Sequence, residues 1–420
     1  MTPRPKPRRA PGPPPSAKPP AEPGPPRERP ASSPAIFLKS SHNPRIEAGH
    51  PWIYAGEIGR VEGSPAPGGI VRVADRRGRP VGWGYYNKAS AITVRLLDRG
   101  KAPPGEDWVA RRLERALALR RERLGGEEAF RLAFGEADDL PGLVVDVYGG
   151  VAVFQLSTLG MEVRREEVIA AIREVLRPEG IWERSDVGAR RHEGLSPRAG
   201  PAWGEAPEIV PFREDGLELE AHVREGQKTG FFLDQRETRR AAEALLRGRV
   251  LDAFCYTGAF SLRLARAGAK VVALDASAAA LAGLRRQAGR NGLAGRISPV
   301  RGNAFDMLRA MAPDLFDGVV LDPPALAPGQ AALEKGVRAY KELNLRAMRL
   351  LREGGVLLTC SCSARLTPPG YLDMLREAAR DAGRDLTLLW EGGQAPDHPV
   401  RLAVPETRYL KASAWRVRRI

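Results

Sequence analysis

The stretch GRVLDAFCYTGAFSLRLARAGAKVVALDAS, residues 248–277, decides how the chain is read. An apolar run, RVLDAF, ends at a turn containing Gly258. A helical stretch, SLRLARAGA, follows, and a second apolar run, KVVALD, comes after it. The unit then repeats: KVVALDAS leads into AALAGLRRQAGRNGL, FDGVVLDPP into ALEKGVRAYKELNLRAMRLL, and GGVLLTCSCS into PPGYLDMLREAARDAG. Short β-type runs that alternate with helices of roughly ten to twenty residues predict βαβ units. The fold class is therefore α/β, a Rossmann-like, doubly wound and mostly parallel sheet. Such sheets bind ligands beyond the carboxyl ends of their strands, so the residues that follow each strand are the candidates for function.

The first strand runs into DAFCYTG, where Gly258 stands at a turn that must bring backbone close to a ligand. The loop is neither GxGxxG nor followed by GK[ST], so a dinucleotide or phosphate-cradling site is not indicated. The second strand ends in Asp275, about two dozen residues after Asp252, as expected of an acid that accepts both ribose hydroxyls of an adenosine. The alternative is that Asp275 caps the next helix, whose first turn would be SAAA, but with the preceding loop the ligand reading is the better one. Asn303, after PVRG, suits either an adenine edge or a turn.

The remaining two strand ends carry the chemistry. In FDGVVLDPPAL, Asp322 is followed by two prolines, each of which fixes φ and excludes helix before it. A stiff corner of that kind can hold a flipped-out base against a fixed carboxylate. GGVLLTCSCS brings Cys360 and Cys362 to the next strand end. Two cysteines are too few for zinc, no histidine motif completes a set, and the spacing is not CxxC. A nucleophile facing the Asp322 corner accounts for both motifs together. Cys362 is taken as that nucleophile, and Cys360 and Cys255 as buried packing residues.

Upstream the character changes. IFLKS, GIVRVAD, PVGWGYYN and AITVRLL, between residues 35 and 103, are short strands broken by glycines and interleaved with cations and aromatics. They predict a small β-rich domain whose aromatics either form its core or stack bases. Residues 104–207 read as α+β, with helices over 106–123 and VRREEVIAAIREVL, a strand pair in FRLAFGEADDLPGLVVDVYGGVAVFQL and a strand in GIWERSD. Residues 208–420 are the α/β domain. Residues 1–34 hold fourteen of the thirty-seven prolines and several Arg and Lys residues. That composition predicts a disordered basic tail. The net charge of +15 over 420 residues fits a nucleic-acid partner, or a basic proteome that fills surfaces with arginine. The tail has no apolar core like that of a secretory signal, and no apolar run is long enough to span a bilayer. A cytoplasmic protein with no membrane partner and no metal is expected.

VREGQKTGFFLDQRETRR (residues 223–240), DAFCYTGAFSL, LDPPAL and TCSCS resemble, in order and spacing, the RlmI-like bacterial large-subunit (23S) rRNA cytosine-carbon-5 methyltransferases. GHPWIYAGEI is similar to that family's N-terminal PUA-like domain, and AFGEADDLPGLVVDVYGG with IWERSD to its central domain. The resemblance implies S-adenosyl-L-methionine (SAM) as cofactor and 23S ribosomal RNA as partner, with a homodimer left open. Residue by residue, it implies Cys362 as nucleophile, and Asp322 as both catalytic acid and cofactor neighbour. Phe254, Tyr256, Thr257 and Gly258 then form the SAM loop, Asp275 and Ser277 the ribose end, and Asn303 the adenine contact. Gln235 and Arg236 fall at the cofactor or active-site rim. Asn303 stands where the family often shows Asp. Ala325 stands where two-cysteine enzymes of this chemistry place a second thiol, so a one-cysteine variant is implied. Two other readings remain: methylation of guanine nitrogen 7, which needs no thiol, and a non-catalytic RNA-binding assembly factor.

Overall fold

The computed structural model describes Met1, Thr2 and residues 33–327 and 329–420. The expected disordered tail therefore lies, apart from its ends, outside the described residues. From Pro34 onward the chain builds three successive sheets and a hairpin. Strands Ala35–Leu38, Ile58–Glu62, Ile70–Ala74, Pro80–Tyr86, Ile92–Asp98 and Trp52–Tyr54 form the first sheet, two more strands than the four read from the sequence. Val71 and Val73 alternate with half-buried Ile70 and Arg72 and are fully buried with Ile36, Ile53 and Val94 in one cluster, while Ala35, Phe37 and Ala74 are buried in a second.

The middle module is a five-stranded sheet under helices Trp108–Leu124 and Arg165–Leu176. The predicted strand pair between residues 129 and 156 is in fact three strands, Ala129–Phe134, Leu143–Tyr148 and Val151–Leu156. The DDLPG and YGG breaks are both chain reversals, and each turns one antiparallel strand into the next.

The seven strands of the last sheet are β1 (Arg249–Ala253), β2 (Lys270–Asp275), β3 (Ile297–Arg301), β4 (Phe316–Leu321), β5 (Leu351–Ser361), β6 (Arg384–Gly392) and β7 (Lys411–Arg419). Their order is β3-β2-β1-β4-β5-β7-β6, parallel except for β7, which runs antiparallel to both neighbours. The order reverses between β1 and β4, where Ala253 pairs with Leu321 at the carboxyl ends. A crevice forms at such a reversal because the flanking connections leave toward opposite faces. Among the described residues, no helix is long and apolar enough to cross a membrane.

A hairpin, Ile209–Glu214 and Leu217–His222, precedes this sheet and anchors what covers it. Glu214 is buried at its turn and accepts from Arg239 at 2.6 and 2.9 Å, from Arg263 at 3.0 Å and from Arg236 at 3.3 Å. Burial alone would raise its carboxyl, but the three guanidinium groups outweigh that and hold it down at about 2. This knot fixes helix Arg236–Leu245 against Ala259–Arg266, and so sets the height of residues 227–235 above the strand ends.

Candidate active site

A cavity of about 510 Å3 opens where β1, β2, β3, β4 and β5 end. Phe254, Tyr256 and Thr257 line it after β1, Asp275 after β2, Asn303 and Phe305 after β3, Asp322 after β4 and Cys362 after β5, while Lys228, Phe232, Asp234 and Gln235 close it from above.

The first end is shaped by backbone. Phe254, Tyr256 and Gly258 have φ of +65°, +49° and +84°, so every second residue of the loop sits in the left-handed region. For Phe and Tyr this is strained and is held only by its surroundings. Two bonds hold it: Cys255 N–H donates to Leu274 O at 3.0 Å and Tyr256 N–H to Asp275 Oδ2 at 2.9 Å. At Gly258 a β-carbon would stand 2.1 Å from Leu284 Cδ1, so glycine is required for packing as well as for φ. Asp275 also accepts from Ser277 N–H at 2.8 Å. Each of its oxygens thus holds one amide and retains a lone pair for a further donor. Phe254 and Phe305 meet edge to face at 6.3 Å, giving an apolar wall beside Asn303.

The second end is shaped by side chains. Gln235 donates through Nε2 to Asp322 Oδ1 at 2.8 Å. Burial, and then the nearby Asp234 charge, push the Asp322 carboxyl up to about 7. Asp234 accepts from Lys228 at 2.8 Å and from Tyr409 at 2.5 Å. Burial favours its protonation, but Lys228 and His398 outweigh that and hold it well below the usual carboxylate range. Cys362 lies one residue past β5, and burial together with Asp322 pushes its thiol up to about 11. Gln235 Oε1 and Asp234 Oδ1 are buried without a protein partner, although both residues line the cavity. Unsatisfied polar atoms around an apolar chamber are what a bound polar ligand would satisfy. The donor set and the aromatic wall fit an adenosine at one end and a reacting base at the other.

Most residues singled out from sequence converge here, and three stand differently. Arg236 does not line the cavity: its side chain is fully buried among Glu214, Asp397 and the carbonyl of Ala129, because its position on the helix points it into the hairpin knot. Arg239, one turn on, lines the cavity instead. Ser277 caps helix Ala278–Arg290, its hydroxyl accepting from Ala280 N–H at 3.2 Å, and is not a lining residue. Gly258 serves through backbone shape, behind the lining residues. Asn303 accepts from Phe305 N–H at 2.9 Å as a cap and also lines the cavity. Cys360 is fully buried in the core, whereas Cys255 lines the β1 loop. Lys228, Asp234, Tyr409 and Lys411 were not identified individually. The first two lie within GQKTGFFLDQR, whose density of polar residues beside two phenylalanines is the only local signal.

Comparison with known proteins agrees with this geometry. Residues 36–99 match the model of a PUA-like domain, and residues 136–401 that of an S-adenosylmethionine-dependent methyltransferase. A protein named ribosomal RNA large subunit methyltransferase I from Pseudoalteromonas translucida is 36% identical over 392 residues, 91% of this chain and 99% of that protein. One of the same name from Aeromonas hydrophila is 39% identical over 399 residues, 92% of this chain and 100% of the relative. Among solved folds, that of a SAM-dependent methyltransferase from Streptococcus mutans superposes with a TM-score of 0.76 at 20% identity, covering 91% of this chain and 99% of that one. A methyltransferase complexed with SAH gives 0.78 at the same identity and coverage. The chain belongs to the SAM-dependent methyltransferases with a PUA-like domain, in the family of the ribosomal RNA large subunit methyltransferase I proteins, and its cofactor is SAM.

Proposed function

We propose that this protein methylates carbon 5 of a cytosine in large-subunit ribosomal RNA, with Cys362 as the attacking nucleophile. The observation that carries the reading is the placement of Cys362 in one cavity with Asp322, while Cys360, two residues away, is sealed in the core. The names of the relatives, the PUA-like domain and the charge of +15 support ribosomal RNA as the substrate, and that substrate supports a cytoplasmic location. The division into a PUA-like domain (35–103), a central domain (104–207) and a catalytic domain (208–420) is part of the same reading.

Carbon 5 of cytosine is a weak nucleophile. Addition of the Cys362 thiolate to carbon 6 converts the ring into an enamine-like species reactive at carbon 5. Bound SAM supplies an electrophilic methyl group. Asp322, about half protonated at neutral pH, donates in its protonated form to ring nitrogen 3 and so stabilises the charge that develops as sulfur adds. Gln235 holds that carboxyl in place. When carbon 5 loses its proton, the carbon–sulfur bond breaks and the thiolate is recovered. Asp275 would hold the cofactor's ribose hydroxyls, with Phe254, Asn303 and Phe305 around the adenine and Tyr256 to Gly258 along the loop.

The test is methyl transfer from labelled SAM to large-subunit RNA, followed by digestion to nucleosides. We expect 5-methylcytidine from the wild type and from Cys360→Ala, and none from Cys362→Ala. Label on guanosine, or full activity without Cys362, would overturn the reading.

A further inference from the structure

A thiol held at about 11 is almost wholly protonated at neutral pH, so the thiolate proposed above needs help from its surroundings. Two cations approach it. Lys228 is bound to the Asp234 carboxylate at 2.8 Å and is partly exposed, so its charge is already matched. The other is Lys411, the first residue of β7.

Lys411 stands out among the lysines. It is 9% exposed and is the only lysine among the buried residues described. Among the described residues no carboxylate lies within ion-pair distance of it. Its ammonium donates to two neutral acceptors, Ser363 O at 2.7 Å and Tyr409 O at 2.8 Å, which leaves its third hydrogen unassigned. The fold puts it there for a topological reason. β7 runs antiparallel to β5, and Lys411 pairs with Ser361, so its side chain extends past the strand end to the carbonyl just after Cys362. A buried cation without a counter-charge costs stability. Leucine or methionine would fill the same space more stably, so the amine calls for a function.

We propose that Lys411 is a positioning residue that favours the ionisation of Cys362, its ammonium serving as the counter-ion of the thiolate. In the step the S–H bond of Cys362 breaks, the proton passes to water, and the thiolate left behind is paired with the Lys411 ammonium. Nothing is oxidised or reduced. Burial lowers the Lys411 ammonium to about 8, with the Cys362 charge opposing that fall, so the amine keeps most of its charge at neutral pH. The other titratable groups around the pair are Tyr409, whose hydroxyl is spent on Asp234, Asp234 itself, Asp322, Lys228, and Cys360 and Tyr340, both of which burial keeps neutral. The two carboxylates disfavour a lone thiolate, so removing Lys411 leaves them unopposed except by Lys228.

This inference rests on the proposed role of Cys362, but its test does not need the RNA. The rate at which iodoacetamide alkylates Cys362 is followed by peptide mass spectrometry against pH in the full chain, for wild type, Lys411→Met and Lys411→Arg. We expect Lys411→Met to move the inflection upward by at least one pH unit and to slow alkylation at pH 7.5 by about tenfold or more. Lys411→Arg, which keeps the charge, should recover most of the rate. Lys411→Gln serves in place of the methionine variant should that one not fold. Superimposable profiles for wild type and the uncharged variants would overturn the inference and leave the methylation reading standing. If instead Cys362 proves dispensable for methylation while Lys411→Met still shifts the profile, the reading of function fails and the ionising pair remains.

Discussion

The two ends of the cavity are made of different material. Beneath β1, β2 and β3 the shape comes from backbone: alternating left-handed residues, a glycine pressed on Leu284, and amides turned onto Asp275. Beneath β4 and β5 it comes from charged side chains drawn from distant parts of the chain, with Gln235, Asp234, Lys228, Tyr409 and Lys411 around Asp322 and Cys362. The difference fits the two proposed tasks. Holding an invariant cofactor needs a rigid mould, which backbone provides at little electrostatic cost. Ionising a thiol and protonating a ring need groups whose pKa values have been displaced, and only burial among other charges does that.

If the division is right, substitutions at the two ends should fail in different ways. The largest effect is expected at the charged end. Asp322→Ala should lower kcat by about a hundredfold or more, because the donor to the developing charge is lost, while SAM affinity changes little. A parallel loss of SAM binding, measured by calorimetry, would dissolve the distinction between the ends. A smaller effect belongs to the moulded end. Asp275→Ala should weaken SAM by roughly tenfold to a hundredfold, the worth of one or two lost hydrogen bonds, with kcat at saturation changed far less. Unaltered SAM affinity would remove Asp275 from the cofactor site.

The smallest effect concerns Asp252, which sits under the cavity floor on β1. Burial pushes it up to about 7 against the opposing bond from the Ser261 hydroxyl, and its Oδ1 has no partner. Because the folded value lies above the usual 3.8, the folded protein holds this proton in a window where the unfolded chain has released it. The resulting stabilisation is present at low pH and is lost as pH rises from about 4 through 7. Asp252→Asn cannot titrate. Thermal melts should therefore show the variant gaining on the wild type between pH 5 and pH 8; a constant difference would mean that Asp252 does not titrate as described.

The same division explains what the sequence made legible. The βα alternation, the Asp275 end and the Asp322–Pro323–Pro324 corner are local in the chain, and local patterns carry them. The choice of Cys362 over Cys360 rests on little in TCSCS itself, and the structure separates them because β5 ends between the two. Arg236 and Arg239 look alike in QRETRR, and which one reaches the cavity depends on a helix rotation fixed by Glu214, more than twenty residues earlier. Lys411 could not be seen at all. Its role depends on β7 being inserted antiparallel beside β5, which no motif announces. Side-chain clusters assembled by topology are the part of a site that linear reading misses.

The most direct test of the central claim is covalent trapping. Large-subunit RNA carrying 5-fluorocytidine should capture the enzyme in the presence of SAM, since fluorine cannot leave carbon 5 as the proton does and the sulfur adduct persists. On a denaturing gel the account predicts a protein–RNA band for wild type and Cys360→Ala, and none for Cys362→Ala. A band that survives loss of Cys362, or none from an enzyme shown to methylate the unfluorinated RNA, would contradict it.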